Sequence, residues 1–122
     1  MRLNPDCIRD ILLATEKFTD IKKVMVYSNN PSDFDIEGYT PNEVLYHIQQ
    51  CDYSGLIICS RFNQGFIIKD LTPTGHEFLA NIRTNTNWNK TKEISKKIGS
   101  NSLNTLFQIA SNVVSELLKN QF

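Results

Sequence analysis

The sequence predicts an α+β domain followed by two C-terminal helices. Three observations carry that reading. From Val44 to Ile82 a helical stretch ends in a Gly-Leu-Ile step, two short apolar runs follow around Asn-Gln-Gly, and a helix opens at Leu-Thr-Pro-Thr-Gly. A capping residue followed by proline marks three helix starts, at Asn4-Pro5, Thr40-Pro41 and Thr72-Pro73. Leu103 to Leu118 carries apolar residues at three- and four-residue spacing.

The elements follow in order. Asn4 caps a first helix with Asp6 in its first turn, and Ile8, Ile11, Leu12, Thr15 and Phe18 form its apolar stripe up to about Thr19. Val24 to Tyr27 reads as a short extended segment, because β-branched and aromatic side chains fit a pleated surface. Residues 28–40 are loop-like, with turn formers and acidic Asp33, Asp35 and Glu37. The helix from Pro41 turns Val44, Leu45, Ile48 and Cys51 inward and Tyr46, Gln49 and Gln50 outward, and Gly55 ends it with a positive φ. Leu56–Ser60 and Phe66–Leu71 read as a hairpin, with Gly65 in the left-handed position of a three- to four-residue loop. The helix from Pro73 buries Phe78, Leu79 and Ile82, and Asn-Thr-Asn at 85–87 breaks it. A fourth helix covers about Trp88–Ile98, with Trp88, Thr91, Ile94, Ser95 and Ile98 on one face and Gly99 as its C′ residue. The division expected is a domain over 1–84 and a helical extension over 85–122, packed on it or forming a dimer interface.

Composition limits the function classes. At 122 residues the chain can bury one core without metal or disulfides. No apolar run reaches the about 18 residues of a membrane span, and the charged N-terminus lacks the apolar stretch of a signal peptide, so the expected location is cytoplasmic. Three cysteines (Cys7, Cys51, Cys59) in apolar contexts read as buried free thiols. Net charge is zero but uneven. Residues 1–40 hold 5 Lys/Arg against 7 Asp/Glu, residues 41–80 hold 2 against 4, and residues 81–122 hold 6 against 2. Attraction for nucleic acid must come mainly from the last third.

Two stretches carry a resemblance. VLYHIQQCDYSGLII, Val44–Ile58, resembles the recognition helix and following strand of bacterial winged-helix proteins. LTPTGHEFLANIRTNTNWNKTKEI, Leu71–Ile94, resembles a group of small uncharacterised bacterial and prophage proteins that share Leu-Thr-x-x-Gly and a Thr-x-Trp-x-Lys step. Asp6–Leu13 fits the same group. The resemblance implies a winged-helix domain and no particular activity. One departure matters, because the slot of the usual second helix falls on the acidic segment 28–39.

Each candidate site has a plainer competitor. Asn42, Tyr46, Gln49 and Gln50 suit base edges, and Arg61 suits a phosphate or guanine. They are equally well solvated positions on a helix that has no Lys or Arg and does have Glu43. Lys90, Lys92, Lys96 and Lys97 could hold phosphates, or be the wet side of an amphipathic helix diluted by Glu93. His47 and Cys51 share helical spacing with Cys59 nearby, but four zinc ligands are not assembled, so no metal is expected. Gly75-His76-Glu77 offers no nucleophile, carboxylate pair or phosphate loop, so no enzyme activity, cofactor or small-molecule substrate is expected. The last helix shows one apolar row at Leu103, Leu106, Ala110, Val113 and Leu117 and a second at Phe107, Val114 and Leu118. One row can cover the domain and the other a second copy, or both can be buried within one chain. Two classes stay open: a DNA-binding transcriptional regulator of phage or prophage type, and a protein-interaction or self-associating module without DNA binding.

Overall fold

The computed structural model describes residues 1–28 and 36–121. The chain divides into two compact units, Met1–His76 and Glu77–Phe122. The described elements are α1 (Pro5–Phe18), β1 (Met25–Ser28), α2 (Pro41–Tyr53), β2 (Ile57–Phe62), β3 (Gly65–Leu71), α3 (Pro73–Ile82), α4 (Asn85–Ile98) and α5 (Leu103–Gln121). Among the described residues the architecture is mixed α+β: five helices and a three-stranded antiparallel sheet of order β1-β3-β2.

The first unit grows from its caps. Asn4 Oδ1 accepts from the Asp6 N–H at 3.0 Å, which opens α1. Thr40 and Glu43 form a reciprocal capping box at the head of α2. α1 packs on α2 and on β3. Cys7, Ile8, Ile11, Leu12, Val44, Ile48, Cys51 and Ile68 make the core, each 0–1% exposed. Phe18 leaves the expected stripe and is 44% exposed, because it is the last residue of α1 and Lys17 sits over its ring at 5.2 Å. Of the 28–39 slot where the usual second helix would fall, residues 29–35 lie outside the described residues, Ser28 ends β1 and residues 37–39 form a turn.

The hairpin is tighter than its sequence suggests. Phe62 pairs with Gly65, so only Asn63 and Gln64 form the turn. Gly65 has no positive φ; it pairs with Ser28, and a Cβ there would collide with the Tyr27 carbonyl oxygen. Its glycine serves close backbone approach, not a left-handed turn. Across the hairpin, Ile58 pairs with Asp70 and Cys59 with Ile68, which leaves Lys69 as the extra residue of a bulge. Gly55 and Gly99 do take positive φ, at 71° and 81°.

In the second unit, Thr84 caps α4 by accepting from the Asn87 N–H at 3.1 Å. Asn85, Thr86 and Asn87 are therefore the first turn of α4, not only the break after α3. A side-chain cap outweighs the weak helix propensity of those three residues. Ser102 caps α5 through the Thr105 N–H at 3.2 Å, and α4 packs on α5. Trp88, Thr91, Ser95, Leu106, Ile109 and Ala110 are buried. The Phe78 and Phe107 rings meet at 5.7 Å between centroids.

Candidate nucleic-acid interface

The direction of α2 is fixed by what it buries. Val44, His47, Ile48 and Cys51 face inward, so Asn42, Tyr46 and Gln49, at i, i+4 and i+7, form one outward stripe. Gln50 is turned away from Gln49 by about 100°. Tyr46 and Gln49 line a groove of about 310 Å³ whose opposite wall is Arg61, Asn63 and Gln64 of the hairpin, with Leu45, Phe62 and Phe66 as its apolar part. Arg61 lies over the Phe66 ring at 5.7 Å, which lays the guanidinium along the strand wall. Three of the expected contacts thus meet in one groove, while Asn42 and Gln50 do not line it. Leu45, expected in the core, is half-buried and belongs to this groove.

Sequence reasoning missed the role of His47. It is 1% exposed and both ring nitrogens are engaged. The Asn4 backbone N–H donates to Nε2 at 2.8 Å, so the proton sits on Nδ1 and is donated to the Glu43 carbonyl at 2.6 Å. The imidazole ties the start of α1 to α2, and Tyr46 meets its ring edge-on at 5.1 Å. The signal was present, since His47 is three residues after Val44 and four before Cys51. Among the described residues, no group of three or more His, Cys, Asp or Glu is placed to hold a metal ion.

The charges do not favour the groove. Residues 1–76 carry 7 Lys/Arg and 10 Asp/Glu, a formal −3, and residues 77–122 carry 6 and 3, a formal +3. The α4 lysines split into two flanks, for at about 100° per residue Lys92 and Lys96 fall on one side and Lys90 and Lys97 on the other. Glu93 lies between them and pairs with Lys97 at 3.5 Å. Lys92 sits over the Trp88 ring at 5.5 Å. On α5, Leu106 and Ala110 are buried, Phe107 meets Phe78, and Leu103, Val113 and Val114 are half-buried. Leu117 and Leu118 are exposed.

The three thiols are free, and burial is the leading cause that raises each of them. Cys7 and Cys59 are pushed up to about 12 from an ordinary 9.0, and Cys51 is raised too. Tyr39 is raised by burial and by its 2.7 Å hydrogen bond to Asp10. As pH rises, the unfolded chain loses these protons first. The stability they contribute is intact below about pH 9 and falls as pH climbs toward 12. The expected outcome is a lower urea midpoint at about pH 10.5 than at about pH 7.5, with a shallower loss in Cys59→Ser. Equal midpoints would contradict it.

Fold and groove together define a small α+β protein with a polar cleft between a capped helix and a hairpin. The chain belongs to the family described as "Hypothetical protein (DUF2513)", which matches residues 2–101 and so stops just short of α5. It is 33% identical over 123 residues to an "Uncharacterized protein" of Haemophilus influenzae (strain ATCC 51907 / DSM 11121 / KW20 / Rd), across 97% of this chain and 99% of that protein. No solved structure matches. No helix among the described residues is long and apolar enough to cross a membrane.

Proposed function

We propose that this chain is a winged-helix protein that binds duplex DNA, a regulator of phage or prophage type working in the reducing cytoplasm. The element order α1-β1-α2-β2-β3 with β3 central supports the winged-helix reading. In that fold a helix enters the major groove and the hairpin touches backbone. The observation that carries the functional reading is the meeting of Tyr46, Gln49, Arg61 and the Asn63–Gln64 turn in one groove. Tyr46 and Gln49 then face base edges, and Arg61 takes a phosphate or guanine. Asn42 and Gln50 flank them on α2. Lys92, Lys96 and Lys97 of α4 are the reserve of phosphate contacts, and the proposal assigns no catalysis, metal or cofactor.

The second reading is a protein-interaction or self-associating module, and the net −3 of residues 1–76 favours it. Arg61→Ala separates the two. If DNA is the ligand, duplex affinity falls about tenfold and the salt slope drops by about 1. Unchanged affinity and slope would remove the groove from any DNA interface.

A further inference from the structure

We propose that the groove between α4 and α5 seats the same groove of a second copy of this chain. The inference concerns the second unit alone and does not depend on DNA binding. Its floor is Ile94, Ile98, Ile109, Val113 and Leu117, in an open groove of about 780 Å³. Ile98 is 60% exposed and Leu117 47%. Water contact with apolar area is costly, so a partner that covers this groove is favoured.

The rim points to a self-complementary partner. Lys90 and Glu93 stand on the α4 side and Glu116 on the α5 side. A rim of both signs suits neither nucleic acid nor a partner of one charge. It suits its own rotated image. A four-residue connection, 99–102, makes α4 and α5 neighbours running in opposite directions. Two such hairpins with their connections at the same end, related by a two-fold parallel to the helices, place each α4 beside the other copy's α5. Lys90 then faces Glu116 of the partner subunit. Lys90 has no ion-pair partner among the described residues, and Glu116 has only the exposed contact with Lys119 at 3.5 Å.

Size sets the strength. The 14 residues of α4 span about 21 Å, and two helices are about 20 Å wide, a footprint of roughly 400 Å² per copy. That is below the about 800 Å² per partner of a tight complex, so the dimer is weak and concentration-dependent.

Sedimentation velocity from about 1 µM to about 1 mM tests this, a span chosen for a weak interface. The full chain should shift from monomer to dimer across it. Leu117→Glu should weaken the association at least about tenfold with an unchanged circular dichroism spectrum. Lys90→Glu and Glu116→Lys should each weaken it, and the double variant should recover it. A monomer at every concentration overturns the proposal. So does a dimer that Leu117→Glu and both charge reversals leave unchanged.

Discussion

Gly75→Ala is expected to destabilise the first unit by about 2 kcal/mol, although alanine is the better helix former. Gly75 is the third residue of α3, and its φ is not in the left-handed region. On propensity alone, alanine would stabilise the helix by about 1 kcal/mol. Space decides the opposite sign. A Cβ at Gly75 would overlap the carbonyl oxygen and carbon of Leu56, which are backbone and cannot rotate away. The same carbonyl accepts the Thr72 N–H at 3.0 Å, and the Thr72 hydroxyl accepts the Gly75 N–H at 2.9 Å. Moving the helix start to admit a methyl group therefore strains the cap as well. Gly55→Ala is the contrast, because nothing lies within 4 Å of its Cβ position and only the φ of 71° resists, at about 1 kcal/mol. Urea unfolding should order the midpoints wild type, Gly55→Ala, Gly75→Ala. A Gly75→Ala midpoint at or above wild type would show that propensity outweighs the clash.

His47→Ala is expected to cost about 3 kcal/mol, the sum of a cavity and an orphaned donor. The imidazole is buried and is the acceptor for the Asn4 N–H. His47→Phe isolates the second part, since the ring volume is kept and the acceptor is lost. It should cost about 1–3 kcal/mol, the range for one buried unsatisfied N–H. Loss of the bond should also loosen the start of α1, seen as faster amide exchange at Cys7 and Ile8, whose N–H groups both donate to the Asn4 carbonyl. A His47→Phe variant as stable as wild type would mean that water reaches the Asn4 N–H.

The sequence was most legible where chemistry is local. Asn4-Pro5, Thr40-Pro41 and Thr72-Pro73 each stand at the head of an observed helix. A cap and a proline act within a single turn. Thr84 was overlooked because the Asn-Thr-Asn after it reads as a breaker. The β2–β3 pair was legible, but the reason for Gly65 was not. That reason is Tyr27, nearly forty residues earlier, and no local pattern carries a contact between two strands. The Lys69 bulge is non-local in the same way. His47 and the two lysine flanks were within reach of helical spacing. Lys90 and Lys92 cannot share a stripe when each residue turns the helix by about 100°. The groove itself needed the fold, since it joins α2 to a turn ten residues beyond its end.

The central proposal is that the α2–hairpin groove binds duplex DNA. Fluorescence anisotropy with random duplex at low and near-physiological salt tests it most directly. With one cation in the groove and the α4 lysines in reserve, micromolar binding at low salt is expected, weakening steeply as salt rises because each phosphate contact releases a counterion. No binding even at low salt would contradict the proposal and leave the protein-interaction reading.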